Sequence, residues 1–209
     1  MTPDSVASLF TRRDGTYLFA RWGRPIVPVV FGVDDATLAV VKGAIEAVVT
    51  LAGHRMAETD PELGANLMLF FFRDWAELTQ LDGLHQMVPD LAALCQRLEG
   101  EGANQYRLFR FDPDGTIKAV FSFVRMDAAL TVLAAEDLAL CQAVEMMCTW
   151  SDSAFADTTP LTRRDGLVIL RPDIAGVIRA GYDPVMPAAA QDASHALRLY
   201  ARLKPRDLS

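Results

Sequence analysis

The feature that most constrains the fold is a pair of β-rich segments around a tight turn, YRLFRFDPDGTIKAVFSFVRM at 106–126. Asp112, Pro113, Asp114 and Gly115 separate the two halves. Their order is typical of a reverse turn, because proline presets φ and glycine adopts a positive φ. Both flanking segments are rich in aromatic and β-branched side chains, which favour strands. The sequence therefore predicts a β-hairpin here.

Three further segments have the composition of strands. Residues 15–22 and 25–33 are rich in β-forming side chains and are bounded by glycine and proline. Pro28 suggests that the second of these is an edge strand or contains a bulge. Residues 66–72, NLMLFFF, are short and apolar throughout, which is typical of a strand buried on both faces.

Helical segments alternate with these strands. Asp34 and Asp35 provide an N-cap and an acidic first turn for a helix over 36–52, and Gly53 ends it. Apolar periodicity and flanking proline or glycine predict further helices at 73–81, 89–100, 135–150, 171–184 and 187–204. We therefore expect one α+β domain over residues 1–209, with a mixed sheet that contains the hairpin and is packed by several helices. We expect residues 1–14 to be loosely ordered.

Composition and charge limit the class of protein. The chain has 209 residues, of which 51% are hydrophobic, and a net charge of −7. An acidic surface repels phosphate backbones, so we expect no binding to nucleic acid. The longest apolar window, 36–53, contains Lys42 and Glu46 and is short for a membrane span, so we expect no membrane insertion. Two TRRDG pentapeptides, at 11–15 and 162–166, are expected to be solvent-exposed turns.

The N-terminus and the cysteines bear on the compartment. The first residues lack a basic stretch followed by an apolar one, so we predict no signal peptide. Three cysteines without a CxxC pair do not form a disulfide framework. Reduced thiols are typical of the cytosol. The sequence therefore predicts an acidic cytoplasmic protein, and it leaves the oligomeric state open.

The segment AEDLALCQAVEMMCTWSDSA (135–154) contains the candidate chemistry. On a helix, Cys141, Glu145 and Cys148 are spaced i, i+4 and i+7. A helical wheel places both cysteines in an apolar arc, where they would act as small buried hydrophobic residues, and places Glu145 at its edge. A zinc site needs three or four ligands, which this helix does not supply. We therefore expect no metal and no cofactor, and Glu145 is a weak catalytic candidate.

The remaining catalytic motifs are missing from the sequence. His54, His85 and His195 form no HExxH pair, and each is expected to be a surface or helix-capping residue. The sequence contains no GxSxG, P-loop or GxGxxG motif. It therefore has no complete catalytic motif, which argues against an enzyme without excluding one.

The order of the elements is similar to that of a known family. RWGRPIVPVVFG (21–32) leads to a helix, GANLMLFFF (64–72) and the hairpin, and YDPVMP (182–187) lies near the end. Over roughly residues 20–200 this resembles an uncharacterised bacterial family, a domain of unknown function with a zincin-like, metalloprotease-like layout. The resemblance implies a zincin-like α+β fold.

The resemblance also implies that the catalytic motif is degenerate. Family members often carry His-Glu-Glu-x-x-Gln on the helix after the hairpin, followed by Asn-Asp. Aligned on Ser151 and the aspartate after it, Leu140 takes the histidine position, Cys141 and Gln142 take the glutamate positions, and Glu145 takes the glutamine position. Leucine cannot bind a metal, and cysteine replaces a carboxylate base poorly.

The expected function is therefore binding. We expect a non-catalytic, zincin-like protein that binds a peptide or a protein partner. One alternative is a hydrolase with an atypical site around Glu145. Another is a small acidic chaperone or adaptor protein. Whether Glu145 lines a cleft or is packed in the core separates these hypotheses.

Overall fold

The computed structural model describes residues 1–203, which form eight helices and eight strands. The helices are α1 (Pro3–Ser8), α2 (Asp35–Leu51), α3 (Trp75–Leu78), α4 (Leu84–Met87), α5 (Leu91–Gly100), α6 (Ala135–Glu145), α7 (Pro172–Gly181) and α8 (Ser194–Leu203). The strands are β1 (Phe19–Ala20), β2 (Pro28–Phe31), β3 (Leu67–Phe72), β4 (Gln105–Phe111), β5 (Ile117–Arg125), β6 (Leu161–Arg164), β7 (Leu167–Leu170) and β8 (Ala189–Ala190). Within this part of the chain, no helix has the length and hydropathy required to cross a membrane.

The largest sheet has four strands in the order β2-β3-β5-β4. Strands β2, β3 and β5 are parallel, and β4 is antiparallel to β5. All six residues of β3 are buried, as predicted for a strand covered on both faces. The predicted α+β class, with a mixed sheet that contains the hairpin, is confirmed.

Helices cover both faces of this sheet. The odd-numbered side chains of β3 join a large core shared with α2, α6, α7 and α8. The even-numbered side chains join a smaller core shared with α3, α4 and α5. The alternation follows from the two-residue period of a strand. A polar residue on β4 or β5 therefore faces either α6 or α5, according to its position along the strand.

The predicted hairpin is formed by β4 and β5. Its turn is closed by a hydrogen bond of 2.9 Å from the N–H of Gly115 to the carbonyl of Asp112. Gly115 has a φ of 84°, a conformation that glycine adopts without strain. A bulge between Arg110 and Phe111 interrupts the pairing close to the turn.

Helix α2 forms where the sequence predicts it. The side chain of Asp34 accepts a hydrogen bond of 2.7 Å from the N–H of Thr37, which caps the N-terminus. Gly53 follows the helix with a φ of 64°. The buried residues of the helix recur at helical spacing and are Val41, Ile45, Val48 and Val49.

The first residues are packed against the last described helix. Helix α1 contacts α8, and Val6 and Phe10 are fully buried in the large core. The expectation that residues 1–14 are loosely ordered therefore differs from the structure. Their apolar side chains are too few to predict this packing locally, because the partner helix lies at the other end of the chain.

The predicted elements at residues 15–22 and 187–204 differ from the observed ones. Two residues of the first segment form β1, which pairs with β8. Strand β8 consists of Ala189 and Ala190, which lie within the helix predicted over 187–204. Pairing with β1 keeps these residues in a strand, although alanine favours helices. The side chain of Asp192 accepts a hydrogen bond of 2.8 Å from the N–H of Ser194, where α8 begins. Lys204, the end of the predicted helix, lies outside the described residues.

Helix α6 is shorter than the predicted helix over 135–150 and ends at Glu145. Distant side chains bind the backbone after it. Trp22 Nε1 donates to the carbonyl of the first residue after the helix at 2.9 Å, and the Tyr182 hydroxyl donates to that of the second at 2.8 Å. These two bonds satisfy carbonyls that a continuing helix would have used.

A second hairpin, β6 and β7, contains one of the TRRDG pentapeptides. Asp165 and Gly166 both have positive φ values, of 51° and 80°, as a tight hairpin turn requires. Arg163 and Arg164 are exposed, which agrees with the predicted solvent-exposed turn. The strands on either side of this turn were not predicted.

Candidate functional site

Glu145 is the last residue of α6 and forms an ion pair with Arg107 of β4. The two side chains are 17% and 15% exposed, so the pair lies at the boundary between core and solvent. Burial disfavours the charged guanidinium and lowers the pKa of Arg107 to about 10, although the nearby Cys141 raises it slightly. The carboxylate in contact with it acts in the opposite direction. Glu145 is therefore engaged as the counter-ion of Arg107.

Hydrogen-bonded polar side chains continue from this ion pair into the core. Gln142 is fully buried. Its Nε2 donates to Oε1 of Gln105 at 2.6 Å, and its Oε1 accepts from the Ser122 hydroxyl at 3.2 Å. We call Gln105, Arg107, Ser122, Gln142 and Glu145 the polar row. The polar row connects α6 to β4 and β5. Gln142, not Cys141, is therefore the residue that points into the core from this turn of α6.

The three cysteines occupy three different environments. Cys141 is half-buried with its sulfur 3.5 Å from the Thr159 hydroxyl oxygen, and burial raises its pKa. Cys148 lies beyond α6 in a β-bridge with Arg21 and is fully buried, which also raises its pKa. Cys95 is buried in the smaller core. The predicted shared helical face of Cys141 and Cys148 is wrong, and neither thiol has the lowered pKa of a nucleophile.

The histidines are not brought together. His54 is half-buried and its Nε2 lies 2.9 Å from the carbonyl oxygen of Arg24, whereas His85 is exposed. His195 was predicted to be a surface or capping residue, but it is buried, with Nδ1 at 2.8 Å from the Tyr17 hydroxyl. Among residues 1–203, no three His, Cys, Asp or Glu side chains are arranged to hold a metal ion.

The open edge of β4 borders the polar row. The N–H of Arg125 donates to the carbonyl of Asn104 at 2.8 Å, so these two residues form a hydrogen-bonded pair. Hydrogen-bonded and non-hydrogen-bonded pairs alternate along antiparallel strands. The next residue of β4 and every second one after it therefore belong to non-hydrogen-bonded pairs, so the N–H and C=O groups of Gln105, Arg107 and Phe109 point away from β5. In the described chain β4 pairs with no other strand. Its first five residues are half-exposed.

A groove of about 430 Å³ lies on the other side of β4, between this strand and α5. Side chains alternate along a strand, so the β4 residues in the groove face away from the polar row. The apolar lining residues are Val88, Pro89, Ala93, Leu94, Tyr106 and Leu108. The charged lining residues are Asp90, Arg97 and Arg110.

A second cleft, of about 620 Å³, contains acidic side chains that are paired with basic ones. Arg24 donates to Asp112 at 2.7 Å, to Asp60 at 3.2 Å and to Glu62 at 3.3 Å, and Lys118 also pairs with Glu62. Burial alone would raise the pKa of Asp60, but hydrogen bonds from backbone N–H groups, an amide and Arg24 outweigh it and lower the pKa to about 2. These ion pairs attach the hairpin turn to the loop before β3.

The residues around β4 were not identified from the sequence. Their one local signal is the alternation in YRLFR (106–110), which separates Arg107 from the side that carries Arg110. That alternation predicts two faces of a strand, but not which edge of the sheet is open. Comparisons with protein-family models, curated proteins and solved structures found no match to this chain.

Proposed function

We propose that this chain is a non-catalytic, zincin-like binding domain that takes up an extended peptide along the open edge of β4. The observation that carries the proposal is the set of outward-facing N–H and C=O groups of Gln105, Arg107 and Phe109, which have no strand partner within residues 1–203. An added strand pairs its backbone with such an edge and places alternate side chains in pockets on either side. The groove and the polar row flank the edge in that way.

The opposite edge of the sheet is less suited to this role. Strand β2 has four residues and begins with Pro28, which has no N–H to donate. Its last residue, Phe31, stacks on Phe70 at a centroid distance of 4.7 Å. Short strands and proline are features that protect an edge from pairing. Strand β4 has seven residues and contains no proline.

The proposal of a non-catalytic domain depends on α6. Leu140, at the histidine position of the resembling family, has no atom that binds a metal. Glu145 is held by Arg107, so its carboxylate is committed to an ion pair. Burial raises the pKa of Cys141, which keeps the thiol protonated near neutral pH. The helix that follows the hairpin packs beside it, which supports the zincin-like layout that the resemblance implies.

Typical free energies of hydrogen bonding and of association indicate that backbone pairing alone does not suffice for binding. Each hydrogen bond contributes about 0.5–1.5 kcal/mol net, whereas association costs about 4–15 kcal/mol in lost freedom. A buried leucine-sized side chain adds about 1.5–3 kcal/mol. Binding therefore requires the apolar groove as well as the edge. A substitution that fills the groove should therefore abolish peptide binding.

Ala92 and Ala93 provide a matched test. Both are exposed neighbours on α5, but only Ala93 lines the groove. Peptides are selected from a random display library on the wild-type protein, and their affinities are measured by fluorescence anisotropy. We expect Ala93→Glu to weaken binding at least about tenfold, since it replaces an apolar contact with a buried charge. Ala92→Glu should leave binding unchanged.

Methylation of the peptide backbone tests the pairing itself. Methyl groups on alternate amide nitrogens are placed in one of two registers. A peptide that pairs with β4 loses binding when the nitrogens facing the strand are methylated and retains it in the other register. Equal binding by both methylated peptides, or by Ala93→Glu and the wild type, would contradict the proposal.

A further inference from the structure

The two ends of the groove carry arginines, and its centre is apolar. The guanidinium carbon of Arg97 lies 5.7 Å from the centroid of the Tyr106 ring. Arg110 donates to the carbonyl of Met87 at 3.0 Å. Asp90 is the one carboxylate that lines the groove within the described chain, so the lining has a net positive charge. This contrasts with the whole chain, whose net charge is −7.

The spacing of these arginines follows from the strand. Tyr106, Leu108 and Arg110 lie on one side of β4 at intervals of two residues, which is about 6.6–6.8 Å per step. Arg97, over Tyr106, and Arg110 are therefore separated by about 13 Å along the strand direction, with Leu108 midway. An added strand has the same period, so its side chains at alternate positions lie opposite these three points.

Both arginines can bind a further carboxylate. Arg97 pairs with Glu101, but the two side chains are 51% and 54% exposed, and pairs exposed to that degree contribute little. Arg110 is exposed and makes its hydrogen bond through one of its nitrogens. A guanidinium has five N–H donors, and it binds carboxylates in a bidentate geometry. Exchange of partners on peptide binding therefore costs little.

We propose that the occupant of the groove is an acidic peptide in which an apolar residue is flanked, two positions before and two positions after, by Asp or Glu. This inference rests on the proposed function. The apolar side chain lies over Leu108 and the carboxylates lie at Arg97 and Arg110. The pattern reads the same in both chain directions, so it holds whether the peptide runs parallel or antiparallel to β4.

Three synthetic peptides test the charge requirement. They share a central leucine and Thr or Ser at all other positions, except that both flanking positions are Glu, Gln or Lys. Affinities are measured by fluorescence anisotropy at low and high salt. We expect the order Glu, Gln, Lys from tightest to weakest, with about two- to fivefold for each ion pair gained. High salt should reduce the difference between the Glu and Gln peptides.

Protein variants assign the effect to the two arginines. Arg97→Gln and Arg110→Gln should each reduce the preference for Glu over Gln, and the double variant should abolish it. Arg12→Gln is the matched control. It removes the same charge, but Arg12 is exposed and lies outside the groove. A preference retained by the double variant overturns the inference.

The outcomes also separate this inference from the proposed function. If the Gln peptide binds the wild type as tightly as the Glu peptide, and Ala93→Glu abolishes both, the groove binds peptides but the acidic pattern is wrong. If no peptide binds the wild type, including those selected from the display library, the proposed function fails and the acidic pattern fails with it.

Discussion

Replacement of Glu145 by leucine should destabilise the protein by about 2–3 kcal/mol, since it leaves the buried guanidinium of Arg107 without its counter-ion. Burial lowers the pKa of Arg107 from 12.5 to about 10, and each unit corresponds to about 1.36 kcal/mol. Desolvation of the guanidinium therefore costs on the order of 3 kcal/mol, and in the wild type the attraction of the Glu145 carboxylate offsets much of this cost. The 15% exposure of its side chain leaves some access for water, which reduces the loss.

Companion variants separate the ion pair from packing. Glu145→Gln keeps an acceptor oxygen, so we expect a smaller loss of about 1 kcal/mol. Arg107→Met leaves the carboxylate of Glu145 unpaired and should be destabilising as well. In the double variant Arg107→Met, Glu145→Leu two apolar side chains replace the pair, and the stability should return to within about 1 kcal/mol of the wild type. The coupling between the two sites should therefore be large.

The measurement is urea denaturation followed by tryptophan fluorescence. Trp22 and Trp75 are fully buried, so unfolding changes their surroundings strongly. If the free energy of unfolding depends on urea concentration with the same slope in all variants, their unfolded and native states are comparable. A Glu145→Leu variant within about 0.5 kcal/mol of the wild type, or a double variant less stable than both single ones, would refute the reasoning.

Two further predictions concern thiols and pH. In native protein treated with a thiol reagent, Cys141 should react first because it is half-buried, but slowly because burial raises its pKa; Cys95 and Cys148 should react after unfolding, as read by mass spectrometry. Rapid native labelling of Cys148 would contradict its burial. Burial also lowers the pKa of His195 to about 4 from 6.5, so the unfolded state binds a proton that the folded state excludes between those pH values. Stability should therefore fall on acidification from pH 6.5 to 4, by up to about 3 kcal/mol, and urea melts of His195→Gln should show a shallower decline.

Elements whose signals are local were predictable from the sequence. The hairpin turn needs Pro113 and Gly115, and both lie within the turn. Strand β3 is apolar at every position, which suffices to predict burial on both faces. Helix α2 carries its own N-cap, Asp34, and its terminating glycine. In each case the residues that determine the element are within it or next to it.

Elements whose limits depend on distant residues were not predictable. Helix α6 ends early because Trp22 and Tyr182 bind the carbonyls that follow it. A helical wheel shows on which face of the helix the apolar side chains cluster, and this placed Cys141 on the buried face. The buried residue is Gln142, which is satisfied by Gln105 and Ser122 from other strands. Burial of an amide depends on such partners, and a wheel does not contain them.

The candidate site illustrates the same limit. Glu145 was identified from its helical spacing with Cys141 and Cys148, but its partner Arg107 could not be paired with it without the strand order. The open edge of β4 is likewise a property of the whole sheet. An alternating segment looks the same in a central strand and in an edge strand.

The pairing of β1 with β8 also has a consequence for how the protein folds during synthesis. Tyr17 and His195, which are 178 positions apart, make contact beside this ladder. Closure of so long a loop is entropically costly and contributes to slow folding. The first helix and β1 cannot complete their packing on a nascent chain until α8 has been synthesised. Until then the buried residues of α1 stay exposed, so this part of the molecule depends on protection from aggregation until α8 has left the ribosome.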